Sequence, residues 1–155
     1  MSSKKILILY YSGSGNTERM ARAIAEAMKS SAVDVTVENV EKFSTSLLPN
    51  YEGFVLGSPT YFSNMAWPVK KMIDESIMHY SGKKLGNKVA GIFTSAGTKR
   101  DGQDCLRMLE IALRVHHGMN VVGSLIRVDG ENTKEVEKSC QEYGKQLAKE
   151  IGKEK

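Results

Sequence analysis

The strongest constraint on this chain is a join near its start. The apolar run at residues 5–11 passes without a linker into Ser12-Gly13-Ser14-Gly15-Asn16-Thr17, and a helical pattern begins at once. A continuous apolar run of this kind suits a strand at the centre of a sheet covered on both faces. In the helix expected over residues 17–30, Met20, Ile24, Ala27 and Met28 recur at helical spacing. A Gly/Ser turn feeding a helix start gathers backbone N–H groups at the positive end of the helix dipole, and this favours an anion. Gly13 and Gly15 permit the tight turn, Ser12, Ser14 and Thr17 supply hydroxyls, and Asn16 supplies a neutral donor. A terminal phosphate matches that donor set. The plain alternative is an ordinary capped helix start.

Rival phosphate loops fit less well. A P-loop ends in Gly-Lys-Ser/Thr, and no lysine follows here. The dinucleotide fingerprint needs a third glycine where Glu18 stands; Glu38, about twenty residues on, keeps that option as the alternative. A phosphorylated receiver needs carboxylates where Tyr10 and Tyr11 stand.

Beyond the join, strand and helix patterns alternate, which argues for an α/β parallel sheet. Val33, Val35 and Val37 alternate with polar residues and suit a strand nearer an edge. Further strands are expected at residues 53–58, 88–94 and about 119–128, the last broken or bent at Gly123-Ser124. Pro68 suits the first turn of a helix running to about residue 78. Another covers about 102–116, with Gly118 as its left-handed cap. The last starts on the capping pair Asn132 and Glu135 and buries Val136, Cys140, Tyr143, Leu147 and Ile151. The expectation is one doubly wound domain over residues 1–155: five parallel strands, flanked by helices. Such folds bind ligands outside the carboxyl ends of the strands, where strand order reverses.

The loops after strands three and four therefore matter as much as the first. Strand three runs into Pro59, Thr60, Tyr61, Phe62, Ser63, Asn64 and Met65, then Trp67. A flat heteroaromatic ring needs apolar or aromatic walls and a few polar groups at its edge. Tyr61, Phe62, Met65 and Trp67 are wall candidates, and Pro59 stiffens the loop. Strand four runs into Thr94, Ser95, Ala96, Gly97 and Thr98, with Gly102 at the next helix; small residues there allow close backbone approach to the ring.

Bulk properties narrow the class. No apolar run approaches the ~18 residues of a membrane span. The opening segment reads as a first strand and not a secretion signal, so a cytoplasmic setting is expected. Cys105 and Cys140 lie far apart in helical segments and read as reduced, packed thiols. The net charge is +4, but Lys and Arg are scattered, so neither nucleic acid nor membrane insertion is expected.

Together, Tyr10 to Thr17, Gly57 to Met65, Phe93 to Thr98 and His116-His117-Gly118-Met119 resemble the flavodoxin superfamily, nearest its WrbA-type NAD(P)H:quinone oxidoreductase branch. The resemblance spans nearly the whole chain in order. It implies a flavodoxin-like fold of strand order 2-1-3-4-5, with FMN phosphate bound by residues 12–17. The isoalloxazine ring is then bordered by residues 60–62 and 95–98. It also implies that His116 approaches the flavin; read from the residues alone, His116 is a helix-end histidine at a favourable C-terminal position. His117 reads as structural or as part of a subunit contact. The segment Lys99-Arg100-Asp101 departs from the family's usual Gly-rich stretch.

Two functions follow. In the first, the chain transfers two electrons from NAD(P)H to a quinone or similar acceptor, with Tyr80 a candidate border of the acceptor pocket and a homodimer or homotetramer as the assembly. In the second, it is a flavodoxin-type carrier serving a protein partner. Such carriers are typically acidic, and the +4 charge argues for the enzyme.

Overall fold

A computed structural model describes residues 3–29 and 33–153. The first strand, β1 (Lys4–Tyr10), leads to α1 (Asn16–Lys29) and β2 (Val33–Asn39); the expected last helical residue, Ser30, lies outside the described residues. Short 3₁₀ turns at Val40–Lys42 and Thr45–Asn50 lead to β3 (Gly53–Tyr61), which folds back through β4 (Asn64–Met65) into α2 (Trp67–Glu75) and a 3₁₀ turn, Ser76–His79. Then come β5 (Val89–Ala96), α3 (Lys99–Glu110), a π-helical turn (Ile111–His116), β6 (Asn120–Val121), β7 (Leu125–Val128) and α4 (Thr133–Gly152).

The sheet runs β2-β1-β3-β5, and β6 and β7 share the far edge of β5, all parallel. Counting that split edge as one strand, the order is the expected 2-1-3-4-5. Among the described residues there are seven strands, because the last breaks at Gly123-Ser124 and because the short β4 pairs antiparallel with the end of β3. At the break, the Tyr143 hydroxyl accepts from the Ile92 N–H at 3.1 Å and donates to the Val122 carbonyl at 2.7 Å. A side chain thus replaces the missing rungs of the ladder.

Pleating sends alternate β1 side chains to opposite faces. Ile6, Ile8 and Tyr10 pack with Met20, Ile24 and Met28 of α1 and with Cys140, Tyr143, Leu147 and Ile151 of α4. Leu7 and Leu9 pack with Val69 and Met72 of α2 and with Leu106 and Leu109 of α3. Each such side chain contributes about 1.5–3 kcal/mol on burial. The helices α1 and α4 approach closely at Gly144, where a Cβ would stand 2.6 Å from the Ile24 carbonyl oxygen. Both cysteines are free and buried, as expected. Burial pushes both thiols up, that of Cys140 to about 12 with help from the Glu137 charge, so they serve as packing groups. No helix among the described residues is long and apolar enough to cross a membrane.

Candidate functional site

Sheet register brings three loops to one edge. Tyr10 pairs with Gly57, and the Tyr11 N–H reaches the Gly57 carbonyl at 3.2 Å. Pro59 pairs with Ser95. The segments following β1, β3 and β5 are therefore neighbours at the carboxyl ends of the strands. Strand order reverses there too, since β2 lies on one side of β1 and β3 on the other.

In the first loop, Gly15 takes φ +96°, a conformation that L side chains rarely adopt. The Ser12 hydroxyl oxygen accepts from the N–H groups of Gly15 (3.1 Å) and Glu18 (3.2 Å), which fixes the turn and satisfies part of the helix start. The amides of Asn16 and Thr17 find no acceptor among the described residues. Thr17 is buried, and its hydroxyl pairs with that of Ser95 at 2.8 Å, tying the first loop to the end of β5. Arg19, which the sequence reading passed over, folds its guanidinium back to donate to Asn16 Oδ1 and brings a positive charge to the loop. Its spacing of three residues after Asn16 was the available signal.

The second and third loops interlock above this one. The Thr60 and Thr94 hydroxyls lie 2.7 Å apart, and Thr94 also donates to the Ser58 carbonyl at 2.6 Å. The Ser58 hydroxyl donates to the Pro59 carbonyl and accepts from the Ala66 N–H. The Tyr61 hydroxyl stands where a Cβ on Gly13 would lie, so the glycine is needed for this ring to cross the first loop. Tyr61 and Trp67 are about half and two-thirds exposed, and Phe62 is fully exposed. Met65, an expected wall residue, belongs instead to the core. Ala96 is buried, Gly97 and Thr98 are exposed, and Gly102 packs between Ala96 and Ile126.

The remaining two candidates lie elsewhere. His116 closes the π-helical turn, and the chain after it forms β6, which pairs with Val89 and Ala90 at the opposite end of β5. At ~3.3 Å per residue, that end is roughly 20 Å from the carboxyl edge. His116 and Tyr80 do meet there, with Asp74, Ser76 and His117, around a shallow cavity of about 360 Å³. Within one chain, the structure thus separates these two residues from the three loops.

Of the adjacent pair His116 and His117, the one on the interior is His117, 8% exposed, and His79 is buried beside it. Ser76 Oγ donates to the Ile73 carbonyl at 2.6 Å, so His117 Nε2 is the donor in its 2.8 Å bond to Ser76. His79 Nε2 likewise donates to the Thr45 carbonyl at 2.9 Å. Both Nδ1 atoms are buried without a partner among the described residues. Burial first, then the nearby His79 and His116, lowers the pKa of His117. The neutral ring is the form this packing accepts.

The flavodoxin family model matches residues 8–144. The chain belongs to the flavodoxin family. Membership implies flavin binding. This flavodoxin-family chain is 32% identical to an NAD(P)H dehydrogenase (quinone) of Rhizobium rhizogenes, over 90% of its own length and 80% of the relative's. Its backbone matches a WrbA-like flavodoxin from Agrobacterium tumefaciens with a TM-score of 0.84 at 25% identity, covering 96% of this chain and 98% of that one. An archaeal flavodoxin matches with a TM-score of 0.83 at 27% identity, covering 96% and 99%.

Proposed function

We propose that this flavodoxin-family protein is an FMN-dependent oxidoreductase that passes two electrons from NAD(P)H to a quinone-like small molecule. The observation that carries the reading is the first loop: a Gly-rich turn at a helix start, with open amides at Asn16 and Thr17 and a cation, Arg19, folded against it. That donor set fits a doubly charged phosphate monoester. Residues 12–17 would hold the phosphate; Pro59, Thr60, Tyr61, Phe62, Ser63 and Asn64 would border the ring on one side and residues 94–98 on the other. Bound flavin supplies the two-electron chemistry. The chain's part is to orient the ring, present backbone donors at its edge and shield it from water with Tyr61. The relative named as a quinone dehydrogenase supports the enzyme class and a small-molecule acceptor.

The test is oxidation of NADH and NADPH by the FMN-loaded protein with benzoquinone as acceptor. Turnover with at least one nicotinamide supports the reading; negligible turnover with both, beside fast electron exchange with a redox partner protein, replaces it with the carrier. The carrier is favoured by one observation: this chain spans 99% of the archaeal flavodoxin but 80% of the dehydrogenase.

For His116 and Tyr80, the separation within one chain leaves one catalytic route, in which a second copy presents them to the flavin. The exposed Ile77, Tyr80 and Val115 beside them support a homodimer or higher assembly. Sedimentation of the FMN-loaded protein checks it, and a monomer at catalytic concentrations removes both residues from the mechanism.

A further inference from the structure

The reversal between β3 and β4 is a two-residue turn whose central residues are Phe62 (φ 51°) and Ser63 (φ 64°). Hairpins of this geometry normally carry Asn-Gly or similar, because a Cβ is disfavoured at both positions. A Phe-Ser turn exposing its entire phenyl ring gains nothing from burial, so something else must hold it. The hold comes from α3. Ser63 Oγ donates to Asp101 Oδ1 at 2.9 Å. Asp101 is itself anchored, since its N–H donates to the Thr98 hydroxyl that caps the helix, at 3.2 Å. In a capping box the acidic side chain would return to the cap residue's own amide. Here it reaches across to the opposite loop.

We propose that Asp101 is a positioning residue: by clasping Ser63 it locks the Phe62-Ser63 turn to the start of α3 and so fixes the spacing of the two loops that border the flavin ring. The proposal rests on the reading of this cleft as the flavin site. It is specific to this chain's Lys99-Arg100-Asp101 segment. Nothing in it needs Asp101 to touch the flavin. The carboxylate acts through Ser63, and the negative charge is well placed in the first turn of α3.

The experiment compares wild type, Asp101→Ala, Ser63→Ala, the double variant and Asp101→Asn, each as the full chain. Flavin affinity is read by FMN titration, and the turn itself by amide hydrogen exchange at Asn64 and Met65 in flavin-free protein. Loss of one hydrogen bond to a charged group sets the scale at about ten-fold in affinity. The expected result is that loss in each alanine variant and no further loss in the double variant, since both remove the same bond. Exchange at Asn64 and Met65 should quicken in the alanine variants while melting temperature holds. Asp101→Asn, whose amide oxygen still accepts from Ser63, should recover most of both signals and the wild-type absorbance spectrum of bound flavin. Unchanged exchange in Asp101→Ala, or additive losses in the double variant, would overturn the clasp. A wild type that takes up no FMN would overturn the reading of the cleft instead. The exchange data on the flavin-free chain would then decide the clasp alone.

Discussion

The two ends of β5 use polar groups for opposite purposes. At the carboxyl end, backbone amides at Asn16 and Thr17 remain open, the Gly15 turn is left-handed, and Phe62 is displayed to solvent. At the amino end, Ser76, His79 and His117 turn their polar atoms inward: His117 donates to Ser76, Ser76 to the Ile73 carbonyl and His79 to the Thr45 carbonyl. The first end keeps donors free and pays in local conformation; the second satisfies most of its polar atoms and keeps His117 as a neutral ring. A polar cluster is therefore a binding candidate where its donors are unspent, and a structural one where they are consumed internally.

This contrast can be broken most sharply at His117. Replacing it with Ala should cost about 2–3 kcal/mol of folding stability, through a cavity and a lost buried hydrogen bond, with little change in FMN affinity. Chemical denaturation beside FMN titration checks this, and a large affinity loss would show that the ends are coupled. The converse is Ser12→Ala or Thr17→Ala, each expected to weaken FMN binding by about 1–3 kcal/mol. Ser12 orders the turn, while Thr17 links it to Ser95, so unchanged dissociation constants in both variants would refute this placement of the phosphate. A smaller loss, near 1 kcal/mol of stability and none of affinity, is expected for Asn132→Ala, which removes the cap on the Lys134 and Glu135 amides. Thermal melts with and without FMN would separate the two quantities.

The gentlest test is acidification. His117 has a lowered pKa in the folded state, so the unfolded chain binds the proton more readily. Its contribution to stability is intact above the unfolded value near 6.5 and is lost as pH falls from there through the lower folded value. Stability should therefore drop below about pH 6.5, and a His117→Gln variant should show a shallower drop; an equal slope in both would assign the effect to other groups.

The sequence carried these ends unequally. The first loop was legible because its donors and its helix lie in one unbroken segment, and alternating patterns sufficed for the α/β class, while the strand order came with the family resemblance. Tertiary choices were hidden: Thr17 meeting Ser95, Tyr61 crossing Gly13, and Ser63 reaching Asp101 join residues far apart in sequence. The helix expected from about residue 102 starts earlier, at Lys99 behind the Thr98 cap, and its Asp101 carboxylate turns away from that cap. His116 and Tyr80 lie away from the three loops within one chain, and a linear reading has no means of telling which end of a strand a helix terminus reaches. Met65 looked like a wall because an apolar residue in a loop is indistinguishable from one that folds back into the core.

The split outer edge has a consequence for solubility. Growth of one sheet onto another needs a long, flat row of unpaired backbone groups. Here that row is two residues, a kink at Gly123 with φ +57°, and four residues more, with Tyr143 occupying the gap from behind. The opposite border, β2, turns Asp34 and Thr36 to solvent. The split rim offers no long template for a stray strand, so crowded chains should resist stacking into fibrils through that edge.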